Sequence, residues 1–338
     1  MKRIALGAAT AAAALVLAGC ASTPATDDTG DDALLQVVAS TNVYGDIAAT
    51  IGGDLVSVTS IITAANQDPH SYEASARDQL SISEADLLVL NGGGYDPFME
   101  TLIDASGSSA PVISAIEVSG LLDEDHGDAH ADEHAEDEHA EDEEHAEGED
   151  AHADEEGHDG HDHIEGFNEH VWYDFHAMEH LAEEIAHELG ELDGANAAAF
   201  EANAEAFVAD IAALEAQAEE LHVQLEGQGA AMTEPVPAYL LAAVGLDNLT
   251  PEAFTEAIEE GADVPPLALQ ETLELFAGPS VVVLAYNAQT ASPETERVRE
   301  AAESADVPVL DFTETLPEGQ TYVSWMTANL DSIATALA

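Results

Sequence analysis

Histidine and carboxylate dominate the chemistry available to this chain, in three arrangements. Between Asp123 and Glu165 lie nine His (His126, His130, His134, His139, His145, His152, His158, His161 and His163) among 22 Asp or Glu, with neither Lys nor Arg. Imidazole is a borderline ligand suited to zinc, copper and nickel, and the carboxylates add a cation-attracting field. Irregular spacing without Cys argues against one preformed structural zinc site and for several weak, exchangeable ones. Two further stretches each carry a single His beside other polar and aromatic groups: Asp68-Pro69-His70-Ser71-Tyr72-Glu73 and Asn168-Glu169-His170-Val171-Trp172-Tyr173-Asp174. Finally, His176-Ala177-Met178-Glu179-His180 spells H-x-x-E-H, the inverted zinc-protease motif. On a helix His176 and His180 would share a face, with Glu179 near a metal-bound water and His187 extending the stripe. In a chain this rich in His and Glu, a five-residue match also arises by composition alone.

The rest of the composition bounds what these groups can serve. The chain has 338 residues, 70 Asp+Glu against 5 Lys+Arg, a formal net charge of −65, one Cys and 46% hydrophobic residues. Five cations cannot supply the positive footprint that a phosphate backbone demands, which excludes nucleic-acid binding. One Cys excludes a disulfide framework, and the apolar content suffices to build cores. Met1-Lys2-Arg3 followed by the apolar, Ala-rich stretch from Ile4 to Leu17 reads as an export signal, too short for a membrane span. The Ser/Thr/Asp/Gly/Pro stretch that follows, to Asp32, suits a flexible tether.

The elements that must position the His motifs are those of an α/β protein. Apolar runs rich in β-branched residues at Leu34–Ser40, Leu55–Ile62, Asp86–Asn91 and Pro111–Ser114 alternate with helix-length segments. Parallel strands with helical crossovers produce that alternation. A second such unit has strands at Val281–Tyr286 and Val307–Asp311 and helices over Pro251–Glu260, Pro293–Ala305 and Thr321–Leu337. Between the two units, Ala195–Glu226 lacks Pro and internal Gly, and Phe200, Ala204, Phe207, Ile211, Leu214, Ala218, Leu221 and Leu225 recur at helical spacing. A helix of that length spans roughly 48 Å and would join two lobes stiffly. The expected organisation is a signal peptide (1–19), a tether (20–32) and an N-terminal α/β lobe (33–190) carrying the His/acid-rich insertion (123–165). A linking helix (191–227) and a C-terminal α/β lobe (228–338) follow, and the sheets of both lobes are mostly parallel.

Leu17-Ala18-Gly19-Cys20 resembles a bacterial lipobox, which would make Cys20 the first mature residue and the lipid anchor. The two single-His stretches resemble the Asp-Pro-His-x-Tyr-Glu and Asn-x-His-Val-Trp-x-Asp motifs of the metal-specific solute-binding lipoproteins that serve zinc and manganese ABC importers. The resemblance covers nearly all the mature chain, from the lipobox through both motifs, the insertion and the long helix to the C-terminal lobe. It implies a cleft between the lobes with one metal ion held by residues of both. His70 and His170 match the first two ligand positions of that pattern. The third falls on Glu234 in Met232-Thr233-Glu234-Pro235-Val236-Pro237-Ala238-Tyr239, where zinc-type relatives carry His and manganese-type relatives carry Glu. The fourth lies within Asp311-Phe312-Thr313-Glu314-Thr315-Leu316, with Glu314 the better match and Asp311 the runner-up.

The resemblance implies capture without catalysis. A monomer tethered by lipid to the outer face of the cytoplasmic membrane would take a divalent ion into the cleft and pass it to a permease working with a separate ATPase subunit. Zinc is the expected cargo, because the His-rich insertion accompanies zinc members. Two carboxylates among four ligands keep manganese or iron open. Two other readings compete: a zinc metalloprotease using His176, Glu179 and His180, and a surface metal sponge whose working part is the insertion. Asn91-Gly92-Gly93-Gly94-Tyr95 lacks the Lys and Ser/Thr of a phosphate-binding loop and predicts a tight turn beside the cleft. Trp172 and Trp325 are expected as core or lobe-packing residues.

Overall fold

Two four-stranded sheets, joined through a helical layer, carry the chain in a computed structural model that describes residues 34–64, 67–122, 164 and 166–338. The expected signal peptide, Cys20, the expected tether and the nine His of the insertion lie outside the described residues. The first sheet contains β1 (Leu35–Thr41), β2 (Val56–Ile62), β3 (Leu87–Leu90) and β4 (Val112–Ser114) in the order β2-β1-β3-β4. The second contains β5 (Gln228–Met232), β6 (Leu246–Asn248), β7 (Val281–Asn287) and β8 (Val309–Phe312) in the corresponding order β6-β5-β7-β8. Every pairing in both is parallel. Strand order reverses between β1 and β3 and again between β5 and β7, and open α/β sheets hold ligands just outside the carboxyl ends of strands at such a reversal.

Helices cover the sheets because the strands are apolar on both faces. All four residues of β3 are buried, as are Val37, Val38 and Ala39 of β1, the pattern of a parallel sheet covered on both sides. In the N-terminal half the helices are α1 (Asn42–Gly52), α2 (Ala76–Glu84), α3 (Pro97–Ser106) and the short α4 (Ala115–Val118). The long pair α5 (Phe175–Leu192) and α6 (Ala197–Leu225) follows. The C-terminal half adds α7 (Ala238–Ala243), α8 (Glu252–Glu259), α9 (Pro266–Glu274), α10 (Pro293–Ser304) and α11 (Tyr322–Ala336).

The long helix runs 29 residues, roughly 44 Å, and all eight residues of its predicted stripe are buried. That stripe packs on α5 and meets α1, α7 and α11, so α6 is the centre of a helical layer as well as a link. The largest hydrophobic cluster accordingly runs through residues of both sheets. Hydrogen bonds stitch the same seam. Tyr322 Oη donates to the Trp172 carbonyl (2.8 Å), and the Asn42 side chain both donates to the Leu316 carbonyl (2.8 Å) and accepts from the Leu316 N–H (3.0 Å).

Strands β5 and β6 are absent from the sequence reading. Gln228-Gly229-Ala230-Ala231-Met232 has neither β-branched nor aromatic residues, so propensity is silent there. Close packing is the reason: a Cβ on Gly229 would come within 2.4 Å of both Leu249 Cδ1 and the Ser280 carbonyl. A larger side chain would push this central strand away from its neighbours.

Candidate metal centre

Three of the predicted ligands stand on loops beyond the carboxyl end of a strand, and His170 stands on the segment that enters α5. His70 lies beyond β2, in a turn set by Asp68, whose Oδ1 accepts from the His70 N–H (2.9 Å) and whose Oδ2 accepts from Ser71 Oγ (2.8 Å). The His70 ring stands edge-on to Tyr95, with centroids 5.1 Å apart. Tyr95 ends the glycine turn after β3, in which Gly92, Gly93 and Gly94 all have positive φ. A Cβ on Gly93 would meet Ile116 Cδ1 at 2.4 Å, so the predicted tight turn demands glycine for space as well as for conformation.

His170 sits before α5, which Asp174 caps by accepting from the Ala177 N–H (2.8 Å). Its Nδ1 lies 2.7 Å from Asn168 Oδ1. An amide oxygen only accepts, so Nδ1 carries the proton and Nε2 keeps the lone pair that a metal needs. Asn168 reaches into the other half as well, donating from Nδ2 to the Pro235 carbonyl (3.1 Å), while Tyr239 Oη donates to the Asn168 carbonyl (2.7 Å). The Tyr95 and Trp172 rings flank the buried His170 imidazole at 5.9 and 5.1 Å. Trp172 and Trp325 are both core residues, as expected.

The C-terminal half supplies carboxylates. Glu234, just beyond β5, is 3% exposed and accepts at Oε2 from Asn287 Nδ2 (2.5 Å) and Thr290 Oγ1 (2.6 Å). Glu314, just beyond β8, is 5% exposed and accepts at Oε1 from the same Asn287 Nδ2 (2.7 Å). Its Oε2 lies 3.5 Å from Tyr95 Oη. Asn287 at the end of β7 therefore clamps two carboxylates together, and Tyr95 contacts both imidazoles and one of them. Asp311, the runner-up, is instead 57% exposed on β8, with Arg299 Nη1 at 3.5 Å. A β-strand points alternate side chains to opposite faces, and Asp311 points outward.

Two residues that the sequence reading missed complete the cluster. Glu169 Oε1 lies 3.2 Å from His70 Nε2, and Glu259 Oε1 lies 3.7 Å from His170 Nδ1. His70, Glu169 and Glu259 each offer a ligand atom, all within 4.8 Å of one another. Glu169 occupies the variable position of the Asn-x-His motif, where a signal was present but unread. Glu259, at the end of α8, carries none, since a Glu closing an amphipathic helix ordinarily faces water.

Gathering these carboxylates has an electrostatic cost. Burial first, then the charge of Glu234, raises the Glu314 pKa from 4.5 to about 8. Burial raises Glu234 to about 7 against hydrogen bonds from Thr290 and Asn287 that lower it. Glu259 rises to about 9 through burial and then the charges of Glu169, Glu234 and Glu314. No cation figures among the causes, and a divalent ion is the group that would reverse them.

The H-x-x-E-H stretch lies apart, on α5. His176 is 65% exposed, and His180 Nδ1 faces the Val118 carbonyl (3.1 Å). Leu181, Ile185 and Leu189 lie on the buried face of that helix.

The family described as zinc-uptake complex component A, periplasmic, matches residues 37–336. A manganese ABC transporter substrate-binding lipoprotein, scaA of Streptococcus gordonii, is 26% identical over 95% of this chain and 94% of its own. The periplasmic zinc-binding protein TroA of Treponema pallidum superposes with a TM-score of 0.65 at 18% identity, covering 90% of this chain and 99% of that one. A crystal structure of ZnuA gives 0.64 at 20% identity, covering 90% and 100%.

Proposed function

We propose that zinc is the cargo of this chain, which belongs to the zinc-uptake complex component A family and is the substrate-binding component of a metal ABC importer. Its partners are the importer's permease and ATPase, it works outside the cytoplasm, and it is not an enzyme. Our reading of the site is that His70, His170, Glu234 and Glu314 hold the ion between the lobes. The observation that supports it is the Asn287 clamp, which holds Glu234 and Glu314 side by side, with Glu314 beside the Tyr95 hydroxyl whose ring contacts both imidazoles. Zinc accepts His nitrogen and carboxylate oxygen at about 2.0–2.2 Å. We further propose that Cys20 carries a lipid anchor and that the protein acts as a monomer. Among the described residues no helix is long and apolar enough to cross a membrane.

A second reading, manganese, is favoured by the additional carboxylates Glu169 and Glu259, since oxygen-rich sites suit harder ions. Metal analysis of protein purified from its native host, followed by titration of each metal form with the other ion, decides between them. Retention of zinc against equimolar manganese is the expected result; retention of manganese against equimolar zinc would overturn the zinc assignment.

A further inference from the structure

His176 and His180 occupy successive turns of one face of α5, with ring centroids 4.4 Å apart and planes at 56°. Each ring is oriented through its Nδ1. That of His180 faces the Val118 carbonyl at 3.1 Å, and that of His176 faces Glu179 Oε2 at 3.4 Å. A carbonyl or carboxylate on Nδ1 places the proton there and leaves the Nε2 lone pair for another partner, the arrangement that orients metal-bound imidazoles. Glu215 on the neighbouring α6 lies close enough that, after burial, the charges of Glu179 and His176 perturb it in opposite directions. Nothing in the cleft uses these groups.

We propose that His176 and His180 form a second, surface site for a zinc-class divalent cation, bound through two imidazoles one helical turn apart. Glu179 orients His176 through the 3.4 Å contact to its Nδ1. The two imidazoles make the site selective for ions that favour nitrogen, zinc, copper and nickel, over manganese. Its exposure leaves water to fill the remaining positions, so it is weaker than the buried cleft and exchanges freely. It does not depend on the cleft assignment.

The test is carbethoxylation of the full chain by diethylpyrocarbonate with and without excess zinc, read as modification of His176 by peptide mass mapping. Exposed His187 on the same helix serves as the internal control. Zinc is expected to protect His176 in the wild type and in His70→Ala, and to lose that protection in His180→Asn. The asparagine retains a donor for the Val118 carbonyl and removes the Nε2 ligand, so the fold is kept. Manganese at the same concentration should protect poorly. Unchanged zinc protection of His176 in His180→Asn, or equal reaction with and without zinc in the wild type, overturns the proposal. Loss of protection in His70→Ala also overturns it, because protection would then report the cleft. Should His180→Asn misfold by circular dichroism, Cu2+ paramagnetic resonance on the wild type substitutes. A two-imidazole signature that loses one of its nitrogens in the exposed variant His176→Ala supports the site, and no change overturns it.

Discussion

The two halves of the proposed metal cage are built on opposite principles. His70 and His170 are braced by aromatic and amide groups, the Tyr95 ring beside both, the Asn168 amide on one Nδ1 and Trp172 against the same ring, with one carboxylate, Glu169 or Glu259, beside each imidazole. Glu234, Glu259 and Glu314 are instead gathered against their mutual repulsion, with one amide, that of Asn287, shared between two of them. The first half is complete before any ion arrives; the second is under electrostatic stress until one does. Tyr95 stands on the seam, its ring against both imidazoles and its hydroxyl toward Glu314.

Substitution on either side of the seam should therefore weaken zinc alike but move the metal-free protein oppositely. His170→Ala removes a donor and leaves a hole beside Trp172. Zinc affinity is expected to fall at least ~100-fold, because changing even a residue that only orients a ligand costs about 10–100-fold. The metal-free melting temperature should fall as well. Glu314→Gln should lose zinc affinity on a similar scale while raising that melting temperature, by about 2–4 °C for each kcal/mol of relieved repulsion in a domain of roughly 150–250 residues. Chelator competition and calorimetry on the same samples read both. A metal-free Glu314→Gln that melts below the wild type would remove the contrast.

The clamp itself comes next in size. Asn287→Ala should lower zinc affinity about 10–100-fold, the range for residues that orient ligands. Asn287→Asp should be worse, since it adds charge to a site already too negative. If the alanine variant bound as tightly as the wild type, the two carboxylates would be held by Thr290 and Tyr95 alone.

Acidity gives a smaller effect whose sign is fixed. Glu234, Glu314 and Glu259 titrate near 4.5 when unfolded but are raised to about 7, 8 and 9 in the fold. Between those limits the folded state binds more protons, so stability falls as pH rises through the window and is regained on acidification. Asp96, buried beneath the glycine turn and raised from 3.8 to about 6 mainly by burial, adds the same trend at its lower end. The metal-free protein should thus melt higher at pH 6 than at pH 9. Saturating zinc should flatten or invert the slope, since binding requires the carboxylates ionised. A metal-free melting temperature that rises toward pH 9 would contradict the stress assigned to the second half.

How much of this was legible depends on which kind of signal a residue carries. Periodicity placed α6 within two residues of each end and named its whole buried stripe, because one face of a long helix repeats without interruption. The central strand β5 escaped the same treatment, since Ala and Gly were selected there by close packing. Among the proposed ligands, the flanks of His70 and His170 marked them for resemblance, and resemblance alone singled out Glu234 and Glu314. Neither periodicity nor composition could bring together residues 80 positions apart beyond the ends of β5 and β8, in a chain where acid is the commonest polar type. Glu259 lay beyond both kinds of signal. Its neighbours Glu256 and Glu260 look the same in sequence, and only the tertiary position of α8 turns one of the three toward His170.

That residue gives the last and smallest effect. Glu259 is the most exposed member of the acidic group, its side chain 18% accessible against 1% for the His170 it faces. Removing its charge should leave zinc binding within about tenfold of the wild type, because two imidazoles and two deeper carboxylates remain. Manganese depends more on oxygen and should lose more, so Glu259→Gln is expected to raise the ratio of zinc to manganese affinity. Competition titration of both metals measures that ratio directly. A ratio unchanged from the wild type would confine Glu259 to stabilising the His170 ring, and a ratio shifted toward manganese would show that the surplus charge of the second half favours zinc.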